Sequence, residues 1–371
     1  MTQPAYPAAR TAAPRIRAHF ERHIAARAPQ PGQYAAVAPE TSTIETIIEA
    51  AFWASLRREE GFMPRISLAF VEPEAMKSSL RFERRLPLEA EPITRLSPAV
   101  ERPGLHLGVW REGEQFFVWG ATRKLPLFCF VLEVIAPGLL VVKHSRGEVG
   151  KFVNVAVLQG DQVKMIDEHA ARPQDCPQLL PPLLGFESQE SFSAAASVLN
   201  RLAISMRAHG RGGSLLVVPA DTGHWRESVL QPVQYALAPG FLQLADLVNT
   251  PGDPDALLRA VDTVAGLTAV DGATVMTDRH EVLAFGAKII RRTGSSQVTE
   301  VLLTEPIEGA RVEVVEPAQL GGTRHLSAAQ FVRDQHDALA LVASQDGRFT
   351  VFAWSPCENM VHAHRIESLL L

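Results

Sequence analysis

Four prolines fall within residues 170–190 (Pro173, Pro177, Pro181 and Pro182), and they exclude a continuous helix or central strand there. Proline fixes its own φ, lacks an amide donor and drives the preceding residue out of the helical region. The chain therefore folds as separate parts on either side. Its 371 residues leave enough for two domains at roughly 150 residues each.

Before that boundary the pattern is short and β-prone. Residues 1–40 carry five arginines and scattered prolines, and read as a flexible Ala/Pro/Arg-rich tail, with Arg15 to Arg27 able to form a short helix. A helix is predicted from Ser42 to about Glu60, with Ser42 and Glu45 as a capping box and Ile44, Ile47, Ile48, Ala51, Phe52 and Leu56 on one face. Runs such as 66–70, 106–110, 115–120, 127–134, 139–144 and 152–158 then alternate with turn residues, which gives a β-rich N-terminal domain over 41–170.

After the 171–190 linker the pattern becomes α/β over 191–356, ahead of a C-terminal tail at 357–371. A helix over 191–209 is followed by Gly210-Arg211-Gly212-Gly213 and a strand at 214–218; a helix at about 253–265 precedes Asp271-Gly272-Ala273. A hairpin (273–277, 281–287), two strands (297–303, 310–316), a helix from Ser327 to Arg333 and two strands (338–344, 348–354) complete the reading. The fold class expected is α/β (α+β), a mixed sheet flanked by helices behind a β-rich domain.

Several classes are excluded. A net charge of -5 gives no basic field for coating nucleic acid, so no direct nucleic-acid binding is predicted. Cys129, Cys176 and Cys357 form no C-x-x-C, which argues against a disulfide framework or structural zinc and fits a cytoplasmic setting. The most apolar stretch, Leu125 to Val142, contains Glu133 and is broken by Pro126, Pro137 and Gly138; no membrane span is read from it.

The glycines at 210–213 follow a helix and precede a strand, the reverse of a phosphate loop, and read as a helix stop. Cys357, His362 and His364 match no zinc spacing. Two segments carry chemistry. In Asp271-Gly272-Ala273 the glycine admits close backbone approach and the aspartate accepts hydrogen bonds from sugar hydroxyls. Gly322-Thr323-Arg324-His325 sets a hydroxyl, a guanidinium and an imidazole ahead of a helix, a phosphate-recognition pattern.

Together, over about residues 190–356, these segments resemble the DAC domain, the catalytic domain of diadenylate cyclases such as the DNA-integrity scanning cyclase. The resemblance implies that Asp271, Gly272 and Ala273 meet the ribose and nucleotide, and that Gly322, Thr323, Arg324 and His325, with Ser344, hold the rest. Where that family has a second arginine this chain has Leu326, and its acidic segment reads Ser344-Gln345-Asp346. The resemblance thus implies a sensor-type member that binds ATP or a cyclic dinucleotide without turning it over, and needs no cofactor. An active cyclase would instead use Asp271 catalytically, take Mg or Mn with ATP through Asp271 and Asp346, and pair two protomers into a homo-oligomer. A ligand-free scaffold is the third reading.

Overall fold

The computed structural model describes residues 5–26, 36–76, 78–101, 104–147, 152–167, 194–250 and 252–371. They form two compact units, divided between Ile166 and Asp167. The expected linker at 171–190 lies outside the described residues.

The first unit is an eight-stranded sheet with helices on one face. Its strands are β1 (Ile66–Phe70), β2 (Ser79–Pro87), β3 (His106–Glu112), β4 (Gln115–Thr122), β5 (Phe130–Ala136), β6 (Leu139–Ser145), β7 (Phe152–Gln159) and β8 (Gln162–Met165). They lie in the order β2-β4-β3-β1-β5-β6-β7-β8, with β1 and β3 parallel and the other pairs antiparallel. Inward-facing Leu68, Leu107, Val109, Leu132 and Val142 meet the helices Pro7–Ala25, Thr41–Ser55 and Ala90–Val100 in one core.

Two expectations fail here. The sequence predicts a flexible tail over residues 1–40, but Pro7–Ala25 is a helix that buries Ala8, Ala9, Ala12, Ala13, Ile16 and Phe20 in that core. Proline is well tolerated in the first helical turn, and alanine is the best helix former, so a stretch that looks like a tether docks as a small-residue ridge. The next helix runs Thr41–Ser55 rather than from Ser42 to Glu60, and no side chain caps it. Its N-cap Glu40 reaches instead to Arg111 at 3.0 and 3.2 Å, and Ser55 ends it by accepting the Gly138 amide at 3.0 Å.

The second unit has nine strands: β9 (Gly213–Val218), β10 (Tyr235–Phe241), β11 (Ala273–Thr277), β12 (Val282–Ala287), β13 (Val301–Thr304), β14 (Glu313–Val315), β15 (Leu339–Ala343), β16 (Phe349–Ser355) and β17 (Met360–Arg365). Their order is β10-β12-β11-β9-β15-β16-β17-β13-β14. Helices Ala194–Ala208, Gln243–Asn249 and Pro254–Leu267 lie on one face, and Thr323–Asp334 covers the other through Ala328, Ala329, Phe331 and Val332. The segment 357–371 is no tail: β17 sits between β16 and β13, its Val361 and Ala363 buried. His362 and His364 disguise its two-residue alternation.

Both sheets are mixed, as the α+β reading expects, and they share a topology. β2-β4-β3-β1-β5-β6-β7 corresponds strand for strand to β10-β12-β11-β9-β15-β16-β17, and within these seven strands each has one parallel pair, β1 with β3 and β9 with β11; outside them, β13 runs parallel to β17. A 3-10 turn precedes the edge strand in both, at Pro73–Ala75 and His224–Ser228. The second unit departs by an insertion. Between β12 and β15 it carries β13, β14 and the helix Thr323–Asp334, where the first passes from β4 to β5 through residues 123–129.

Candidate functional site

The register of the second sheet gathers chemistry at one end. Ala343 pairs with Gly213, and Ala273 with Ala287, so β9 and β11 begin where β12 and β15 finish. That end carries Gly212, Asp271-Gly272, Lys288 and the Ser344-Asp346 turn.

Gly272 has φ +108°, and a Cβ on it would lie 2.5 Å from the carbonyl carbon of Gly286. Only glycine lets these two backbones touch. The contact fixes Asp271 beside β12, where its carboxylate pairs with Lys288 Nζ. Lys288 holds the Asp271 carboxyl below its ordinary range, first by this hydrogen bond and then by its charge, and the Arg324 charge adds to the effect. Beside this turn, Tyr235 stacks on Phe285 with centroids 4.8 Å apart and planes 10° apart, and Tyr235 stays 40% exposed.

The helix expected from Ser327 begins at Thr323, with Gly322 as N-cap, so Thr323, Arg324 and His325 form its first turn rather than a loop ahead of it. Successive helical residues point about 100° apart, which sends the three different ways. Thr323 is exposed. Arg324 is half-buried over the start of β9: a Cβ at Gly212 would lie 2.7 Å from its Nη1. Among the described residues, Arg324 has no hydrogen-bond or ion-pair partner.

His325 does not reach the site. It is 2% exposed, lies edge-on to Phe352 at 6.1 Å, and burial lowers its pKa to about 4, so it is a neutral core residue rather than a phosphate ligand. Ala273 is likewise buried, inside β11. Ser344 and Asp346 serve their own turn. The Ser344 hydroxyl and the Arg348 amide hydrogen-bond the Asp346 carboxylate, which stays below its ordinary range, and Arg348 Nε lies 3.3 Å from it. Both carboxylates once assigned to a metal, Asp271 and Asp346, thus carry a cationic side chain. Among the described residues no group of three or more His, Cys, Asp or Glu is placed to hold a metal ion.

One residue beyond Lys288 and two beyond Arg324 a groove of about 410 Å³ opens, lined by Ile289, Ile290, Arg291, Gln297, Leu326, Ser327 and Gln330. Gln330 is committed: it accepts from the Val298 amide at 2.8 Å and donates to Asp334 at 3.0 Å. Arg291 and Gln297 have no partner among the described residues. Sequence reasoning missed Lys288, Arg291 and the role of Gly212. Lys288 stands directly after a β-strand, a position that any solvated lysine could fill.

A family model described as a probable sensor domain, DACNV, matches residues 33–123, within the first unit. This overturns the resemblance drawn above. The matching model is a sensor domain and not a diadenylate cyclase domain, and it does not extend to residues 190–356. Short motifs such as Asp-Gly-Ala recur too readily to carry a family assignment across a divergent domain. No curated protein matches. Among solved structures, a hypothetical membrane spanning protein from Bacillus cereus is 18% identical, covering 49% of this chain and 67% of its own, with a TM-score of 0.26. A score that low carries no inference about this fold. Among the described residues no helix is long and apolar enough to cross a membrane.

Proposed function

We propose that the chain is a sensor whose second unit binds a phosphorylated nucleotide at the sheet end around Arg324. One observation carries this reading: a half-buried guanidinium without a partner among the described residues, in the first turn of a helix and against the backbone at Gly212. Removing a cation from water without pairing it costs free energy, and a bound phosphate would offset that cost. The amides of the helix N-terminus favour the same charge.

The surroundings supply the remaining chemistry. Lys288 offers a second cation, Asp271 an acceptor for a hydroxyl, and the stacked pair Tyr235–Phe285 an exposed ring face beside the Asp271 turn. The groove along Ile289 and Leu326 is partly apolar, with Arg291 and Gln297 free to recognise polar edges. Asp271 and Asp346 are paired with Lys288 and Arg348, which supports binding without turnover.

Thermal melting with ATP, AMP, pyrophosphate and adenosine tests the reading. A ligand at 100 times its Kd raises stability by about 2.7 kcal/mol. Phosphorylated nucleotides should raise the melting temperature, and ATP incubated with Mg²⁺ or Mn²⁺ should be recovered unchanged. No shift with any phosphorylated compound ends the proposal.

A further inference from the structure

Three imidazoles meet where the helix Pro7–Ala25 lies on the first sheet. His19 and His23 stand one turn apart with ring centroids 4.0 Å apart, and His144 of β6 faces them at 5.3 and 5.4 Å. His19 Nε2 and His144 Nδ1 lie 3.0 Å apart, a hydrogen bond in which one nitrogen donates and the other accepts. His23 Nδ1 donates to the His19 carbonyl at 2.8 Å. The first two nitrogens are spent on each other and the third on a backbone carbonyl, and the trio is not placed to hold a metal ion.

The surroundings are apolar or positive. Phe20 and Phe128 lie edge-on to His144, and its cross-strand neighbours Phe130 and Val153 carry no charge. Besides the other imidazoles of the cluster, His23 foremost, the charged groups acting on His19 and His144 are Arg22 of the helix and Arg146 beyond β6. Nearby acids are engaged elsewhere: Glu21 pairs with Arg17 on the exposed side of the helix, and Glu133 with Lys143, each at 2.7 Å. Lys143 adjoins His144 in β6 and so points to the opposite face of the sheet. Among the described residues, none of the acids named here is placed to pair with an imidazolium in this cluster.

We propose that the cluster makes the docking of this helix acid-labile: a proton taken up by the accepting ring of the His19–His144 pair removes the acceptor of their hydrogen bond, and protonation of either ring sets positive charge against Arg22 and Arg146. Pro14 lies inside the helix and donates no backbone hydrogen bond to the turn before it, so the half that bears the histidines opens without unwinding the other.

The direction follows from linkage. Burial is the leading cause that lowers His19 and His144 from 6.5 to about 3. Both therefore bind protons more tightly after undocking, and docking is strongest above pH 6.5 and weakens as pH falls from there toward 3. At pH 5 each ring favours the open helix by roughly 30-fold and the two by roughly 1,000-fold.

Hydrogen exchange of the full chain at pH 7.5 and 5.0, corrected for intrinsic exchange rates, reads this opening. Amides of residues 16–25 should lose up to about three orders of magnitude of protection at pH 5.0, while those of β1 and β5 lose far less. The double variant His19→Gln, His144→Gln should show no such pH dependence. Should that variant fail to fold, NMR titration of the wild-type imidazoles decides. Equal protection at both pH values, an undiminished loss in the folded variant, or rings titrating near 6.5 with the helix still protected would each overturn the proposal.

Discussion

Gly212 and Arg324 fit against each other, the glycine leaving the space that the guanidinium fills. A Cβ at 212 would lie 2.7 Å from Arg324 Nη1 and 3.2 Å from the Ala343 carbonyl oxygen. Gly212 also holds φ +70°, where a side chain adds strain. Gly212→Ala should therefore displace Arg324 and destabilise the second unit by about 1–2 kcal/mol. Calorimetric titration with ATP should show weaker binding; binding unchanged in a folded variant would disconnect Gly212 from the site.

Arg324→Ala should weaken ATP and AMP by one or two charge-assisted hydrogen bonds, about 1.5–3 kcal/mol each, or roughly 10- to 150-fold per bond. Adenosine affinity should stay as it was, since it has no phosphate for the guanidinium to meet. Equal losses for ATP and adenosine would make Arg324 a structural residue.

Gly272→Ala tests the backbone contact beneath Asp271. The new methyl would meet the Gly286 carbonyl carbon at 2.5 Å, and neither backbone can step aside as a flexible side chain would. The expected cost exceeds about 2 kcal/mol, seen as a lower denaturation midpoint. A variant as stable as the parent would mean that the strands part easily here.

Acid should destabilise the second unit through two buried histidines. Burial is the first cause lowering His364 to about 3 and His325 to about 4 from 6.5, so the unfolded chain binds their protons more tightly. Stability is full above pH 6.5 and falls below it, by about 2 kcal/mol for each at pH 5. His364 Nδ1 lies 2.7 Å from the Thr304 hydroxyl. His364→Gln, which can keep a hydrogen bond to Thr304, should remove about half of the loss measured by denaturation at pH 7 and 5.

How legible the fold was depended on which signal each element carries. β9, β11 and β15 are short, largely apolar runs, and their limits were readable within a residue or two. β2 (SLRFERRLP) was not, because its apolar Leu80, Phe82 and Leu86 are separated by charges along a mostly exposed edge. The helix Ala90–Val100 contains Pro98, which local rules place outside a helix. Asp271 and Arg324 could be named from the sequence, whereas the Lys288 pairing, the inward turn of His325 and the Asp346–Arg348 ion pair depend on strand register and helix phase. Those are set by tertiary packing.

That one strand order occurs twice in the chain has a kinetic consequence. While the polypeptide folds, a strand of either half meets two sheets offering a vacancy of its kind, and exchange between neighbouring domains is a characteristic misassembly of such proteins. Synthesis separates the competitors in time. At about 5–20 residues per second, the segment from β8 to β17 takes on the order of 10–40 s to emerge, long enough for the first sheet to close before its rival strands exist. Denatured and refolded all at once, the chain loses that head start, and its yield should depend on the order in which its halves are allowed to form.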